Sequence, residues 1–247
     1  MSGHSKWSTI KHKKEATDAA RGKLFSKLSR AISIAVKTGG GSDPISNSKL
    51  KVSIDAAKSA NMPKVNIERA ISRGSGGGQL EEVTYEGFGP SGIGVIVETA
   101  TDNRNRTGQE IKGLFERGGG HLAGPGAVSF NFEAKGLLLV SKNKNTEDQI
   151  LKLIDLGAED VEETKYGIEV YIIPNKLSEV KKRIIDEGFS VSSTEFYKKP
   201  KSLQTVTEKE AASKVLAFLT NLENHDDVQK VFTNIDVPDE ILESIKK

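Results

Sequence analysis

The chain predicts a multidomain α+β fold, and three observations carry that expectation. Apolar residues recur every three or four positions between residues 24 and 71, the period of amphipathic helices. From residue 80 the period changes to two, as in half-buried strands. Residues 137–197 then read strand, helix, strand, strand, helix, strand, the order of a ferredoxin-like unit. At 247 residues the chain is long enough for two or three small domains.

Residues 1–14 are polar and basic and predict an extended arm. Leu24, Phe25, Leu28, Ile32, Ala35 and Val36 then mark the apolar stripe of a first helix. Lys23, Lys27, Arg30 and Lys37 fall largely off that stripe. Gly39-Gly40-Gly41 ends the helix, and Asp43-Pro44 turns the chain. A second helix is expected at roughly 48–60, with Leu50, Ile54 and Ala57 inward. Pro63 suits the first turn of a third, which carries Ile67, Ala70 and Ile71 and stops at Gly74. Three helices with short connections make a bundle. With the arm it forms a domain over 1–78, closed by the flexible stretch Ser75-Gly76-Gly77-Gly78.

Strands follow around Val83 and Tyr85 and through Ile93, Val95 and Val97, then a helix at about 106–117 and an alternating strand Val128–Phe132. In the ferredoxin-like stretch, a strand (137–141) precedes a helix (146–156) with Ile150, Leu153 and Ile154 inward. Strands near 159–164 and 168–173, a helix (176–187) on Leu177, Val180 and Ile184, and a strand (190–197) complete it. The tail holds a short strand, a helix and a strand Val228–Ile235. That helix is opened by a capping box, Thr207 with Glu210, and buries Val215, Leu216, Phe218, Leu219 and Leu222. Neither 79–134 nor 203–247 can bury a core alone, so the two are expected to form one discontinuous α/β domain. The ferredoxin-like unit, 135–202, is then inserted within it, the alternative being three consecutive domains.

Charge is the strongest pointer to function. Residues 1–80 carry fifteen Lys and Arg against five Asp and Glu, and residues 81–247 carry twenty-one against twenty-nine. A total of +2 therefore hides a basic head of +10 and an acidic remainder of −8. One-signed asymmetry of this kind fits a polyanionic partner for the head. The chain has no Cys, which rules out disulfides, thiolate metal sites and cysteine nucleophiles. The first residues lack the apolar core of a signal peptide, and no run approaches the ~20 apolar residues of a membrane span. A cytoplasmic protein without a membrane partner is expected.

Gly87-Phe88-Gly89-Pro90-Ser91-Gly92 matches G-x-G-x-x-G, but a strand follows it where a dinucleotide site needs a helix. It reads as a hairpin turn. No phosphate loop, nucleophile elbow or H-E-x-x-H pair occurs, and His121 and His225 stand isolated. No enzyme activity, metal, cofactor or small-molecule substrate is expected, and a monomer is the expected state.

The candidate binding residues are therefore the cations of the head. In the arm they are Lys6, Lys11, Lys13 and Lys14, with His12 and with Trp7, the only Trp of the chain. Trp7 either stacks on a base or sugar or plugs against the bundle. On the first helix they are Arg21, Lys23, Lys27 and Arg30, and on the third Arg69 and Arg73. Lysines would act as point charges on phosphates, and arginines would fork to phosphate oxygens or bases. Between a strand and a helix, Asp102, Asn103 or Asn105 can cap the helix, while Arg104 and Arg106 are candidates to face an anion or a partner.

Several segments resemble the YebC family along nearly the whole chain. They are Gly3-His4-Ser5-Lys6-Trp7, Ile10-Lys11-His12-Lys13, Asn61-Met62-Pro63-Lys64, Asn66-Ile67-Glu68-Arg69-Ala70, Tyr85-Glu86-Gly87-Phe88-Gly89-Pro90 and Thr101-Asp102-Asn103-Arg104-Asn105-Arg106-Thr107. Gly108 stands where relatives commonly have Ala. The resemblance implies a helical N-terminal domain and two α/β domains, one inserted in the other. It also implies a nucleic-acid-binding regulator of gene expression. The expected form is a translation factor that binds ribosomal RNA and assists stalled ribosomes. The alternative is a DNA-binding transcriptional regulator.

Overall fold

The computed structural model describes residues 18–77 and 80–246. The head is three helices: α1 (Asp18–Thr38), α2 (Ser48–Ser59) and α3 (Lys64–Ser75). Their shared core is Ile32, Ala35, Val36, Leu50, Ile54, Ala57, Met62, Ile67 and Ala70, with Phe25 and Leu28 at its edge. Asn47 caps α2 by accepting from the Leu50 amide at 2.9 Å. Its side-chain amide also donates to the Ala35 and Gly41 carbonyls at 2.8 and 2.7 Å. One buried side chain thus fixes the end of α1 against the start of α2. The structure departs from expectation twice here. Leu24 is exposed, because the bundle core begins one residue later at Phe25. Gly74 does not stop α3 but lies within it, where a Cβ would meet the Ser33 carbonyl oxygen at 2.7 Å. Glycine is there to let two helices approach.

The middle domain is a four-stranded sheet ordered β3-β1-β2-β9, from β1 (Glu81–Phe88), β2 (Gly94–Thr101), β3 (His121–Ala123) and β9 (Val228–Thr233). The Gly87–Gly92 segment is the β1–β2 hairpin turn, with Phe88 paired to Gly94. Helices α4 (Arg104–Gly118) and α7 (Lys209–Glu223) cover one face. They close a core of Val95, Val97, Ile111, Phe115, Val215, Phe218, Leu219 and Val231. The opposite face, through Ile96 and Phe232, packs on Leu137, Tyr171 and Tyr197 of the ferredoxin-like unit. β2 is therefore apolar on both sides, and its run of small and branched residues follows from that.

The ferredoxin-like unit runs β4 (Phe132–Val140), α5 (Thr146–Asp155), β5 (Asp160–Thr164), β6 (Gly167–Ile172), α6 (Leu177–Asp186) and β7 (Val191–Pro200). Its sheet order is β5-β6-β4-β7 with every neighbour antiparallel. Phe132 pairs with Pro200, so the chain enters and leaves the unit side by side. Expected strand Val128–Phe132 is instead a turn of 3-10 helix at Ser129–Asn131, and β4 starts at Phe132. The Val128 and Ser129 amides bond to the Glu86 carboxylate rather than to a strand. Ile154 is exposed, because Gln149 and Leu153, one turn apart, set the buried face of α5.

After β7 the chain returns to the middle domain. Short β8 (Gln204–Thr205) pairs in parallel with β10 (Ile235–Asp236), and α8 (Asp239–Lys246) follows. The expected single strand Val228–Ile235 is thus two, broken at Asn234, whose side chain accepts from the Gly94 amide at 2.7 Å. The Thr207–Glu210 capping box does not form. The Val206 amide still bonds to the Asp236 carbonyl, so α7 begins only at Lys209, with Glu208 at its cap.

Candidate nucleic-acid interface

α1 carries two stripes. The apolar one enters the bundle. The other, Lys23, Lys27, Arg30, Ile34 and Lys37, repeats at four- and three-residue spacing and turns toward the middle domain. There the short segment between α7 and β9 receives it. The Lys23 ammonium donates to the Asn224 carbonyl and lies 3.3 Å from the Asp226 carboxylate. Lys27 donates to the Glu223 and Val228 carbonyls at 2.5 and 2.6 Å. Arg30 Nη1 reaches the Asp226 carbonyl and Asp227 Oδ1, both at 2.7 Å. Lys37 donates to the Leu80 carbonyl at 3.0 Å. Three of the cations expected on nucleic acid therefore hold the head against the acidic remainder of the chain.

Asp227 is the centre of this clamp. Its side chain is only 5% exposed. Oδ1 takes Arg30, and Oδ2 takes Arg106 at 2.8 Å and the Thr107 hydroxyl at 2.6 Å. Burial pushes the carboxyl upward, but the Thr107 hydroxyl and the Arg106 and Arg30 guanidiniums outweigh it and hold it below the ordinary aspartate range. Arg106 also pairs with Asp102 at 3.0 Å. It is an internal strut in this structure. Asn103 is the cap of α4, accepting from the Arg106 amide at 3.1 Å. Arg104, one residue on, is exposed, and its carbonyl accepts from the Tyr85 hydroxyl at 3.3 Å.

Glu86 is likewise absorbed by the fold. It accepts from the Gly126, Val128 and Ser129 amides at 3.0, 2.8 and 2.8 Å. Burial raises its pKa, the three amides lower it, and the result lies below the ordinary range. It braces the loop before β4. Glu110, His225 and Asp227 gather their ligand atoms within 4.8 Å. His225 bonds to Glu110 at 2.9 Å and accepts from the Asp227 amide, while Asp227 is occupied by two guanidiniums. Such a group is an ion-pair network rather than a metal nest.

In the head, solvent-facing cations lie on α2 and α3 and at the start of α1. Arg69 and Arg73, one turn apart on α3, are exposed and have no acidic partner among the described residues. Lys51 and Lys58 on α2, which sequence reasoning passed over, are in the same position. The only acidic residue near them in sequence, Asp55, pairs instead with Lys181 at 2.8 Å. Arg21 is exposed on the first turns of α1. Lys6, Trp7, Lys11, His12, Lys13 and Lys14 lie outside the described residues.

Fold and surface together define a three-lobed α+β protein with a basic helical head and no assembled catalytic set among the described residues. Comparison with known proteins gives the family. The model described as "TACO1/YebC protein N-terminal domain" matches residues 5–77, and that described as "TACO1/YebC second and third domain" matches residues 80–235. The chain belongs to the TACO1/YebC family. A "probable transcriptional regulatory protein" of Dictyoglomus turgidum is 48% identical over 99% of this chain and 100% of its own. One from Methylacidiphilum infernorum is 46% identical over 98% and 99%. The crystal structure of a conserved hypothetical protein from Aquifex aeolicus superimposes with a TM-score of 0.85 at 44% identity, covering 94% of this chain and 97% of that one.

Proposed function

We propose that the chain is a non-enzymatic nucleic-acid-binding regulator of gene expression, and that its target is DNA. One observation carries the reading: the exposed face of α2 and α3 presents Lys51, Lys58, Arg69 and Arg73 with no carboxylate to neutralise them among the described residues. A protein surface that leaves cations of one sign unpaired gains affinity for phosphates by releasing their counterions. The relatives named as probable transcriptional regulatory proteins support DNA over ribosomal RNA. No base-reading helix is recognised among the described residues, so affinity would come chiefly from backbone contacts.

The test is titration of labelled duplex DNA and of structured RNA at several salt concentrations. With about five phosphates contacted, log K should fall with log salt at a slope near −4. A transcriptional regulator should also prefer its own site over random duplex by at least ~10³ at fixed salt. Preference for structured RNA over every duplex would move the target to RNA. Absence of binding to either at low salt would refute the proposal.

A further inference from the structure

A cavity of about 210 Å³ opens where the head meets the middle domain. Its walls are Arg30, Ser33, Lys37, Arg73, Gly74, Leu80 and Asp102. Three cations meet one carboxylate there, and that carboxylate is already held by Arg106 at 3.0 Å. Arg30 spends only Nη1 on the clamp, so its Nε and Nη2 have no acceptor among the described residues. The Arg73 guanidinium has none at all among them. Among the described residues the lining therefore offers unbonded N–H donors of Arg30 and Arg73 and sets three cations against one carboxylate, while Lys37 is held by the Leu80 carbonyl at 3.0 Å. Its volume is several times that of a water molecule, ample for a phosphate group. Gly74 brings α3 close against α1 at this wall, since a Cβ there would strike Ser33 and Val36.

We propose that this cavity binds one phosphate group, held by Arg73 and by the unused edge of Arg30, with Lys37 supplying charge. Planar guanidiniums on two sides suit forked hydrogen bonds to a tetrahedral oxyanion. A phosphodiester of the bound strand is the expected source, and in that respect the inference rests on the nucleic-acid reading above. Because Arg30, Lys37 and Arg73 come from the head while Leu80 and Asp102 come from beyond the linker, occupancy ties phosphate binding to domain docking.

The full chain is compared with Arg73→Gln and with Arg69→Gln, a substitution one turn away on the same helix and outside the cavity. Arg73 is exposed, so its loss should leave the fold intact. Expected for Arg73→Gln is a roughly tenfold weaker affinity for duplex and a salt slope shallower by about 0.9, with a smaller loss for Arg69→Gln. Inorganic phosphate or pyrophosphate, at ionic strength matched with chloride, should raise the thermal midpoint of the wild type and of Arg69→Gln but not of Arg73→Gln. Tight duplex binding unchanged in Arg73→Gln, or equal losses in the two variants, overturns the cavity and leaves the nucleic-acid reading standing. If the wild type binds no nucleic acid, that reading fails and the phosphate arm decides alone. Stabilisation lost only in Arg73→Gln then keeps the cavity as a site for a free phosphate group, and no stabilisation overturns it.

Discussion

Asp227 shows how much one side chain can be asked to hold. It joins α1 through Arg30 to α4 through Arg106 and Thr107. Removing the charge strands two guanidiniums and a buried hydroxyl. Asp227→Asn should lower stability by about 1–3 kcal/mol at pH 7, read from thermal or denaturant unfolding. The folded carboxyl titrates below its unfolded value, so its contribution is complete above about pH 5 and is lost as pH falls below about 4. The gap between wild type and variant should close over that acid range. A gap that stays constant to pH 3 would show that the carboxylate charge is not what stabilises the clamp. No feature of the sequence marks Asp227, one of two adjacent aspartates in a loop. Its importance arises only because α1 and α4, about 200 and 120 residues away, converge on it.

Among elements, the helices illustrate that identical residues do opposite things. Gly74 and Gly108 both lie inside helices. A Cβ at Gly74 would meet the Ser33 carbonyl oxygen at 2.7 Å and Ser33 Cα at 3.1 Å, both backbone atoms that cannot step aside. At Gly108 it would rest 3.5 Å from the Tyr85 hydroxyl, an ordinary contact. Gly74→Ala should therefore destabilise by about 1–3 kcal/mol, while Gly108→Ala should stabilise by about 0.5–1 kcal/mol through helix propensity. Paired unfolding curves check both signs, and a stabilised Gly74→Ala would refute the close-approach account. Element types and most inward faces were legible from periodicity, since burial of an apolar stripe is a local demand on sequence. The misses share one cause. Gly74 reads as a stop and Val128–Phe132 as a strand until the partner that crowds or bonds each segment is known.

At the scale of the molecule, the charge asymmetry is real but is partly spent inside the protein. Lys23, Lys27 and Arg30 face carbonyls and carboxylates of residues 223–228. Replacing all three by Gln should release the head from the middle domain while leaving its own apolar core intact. Proteolysis at the linker near residues 77–80 should then accelerate several-fold, with the helical content of the bundle retained. An unchanged cleavage rate would mean that Ile34 and its apolar neighbours, not the cations, hold the domains together.

Three features are readable from the residues alone: a helical head, a ferredoxin-like unit recognisable by its order of elements, and an excess of positive charge at one end. Each depends on neighbours within a turn, a strand or a segment, so each survives reading without coordinates. Only the tertiary structure decided which cations stay available to a phosphate. Burial of a charge is settled by whatever packs opposite it, and here the opposing surface comes from the far end of the chain.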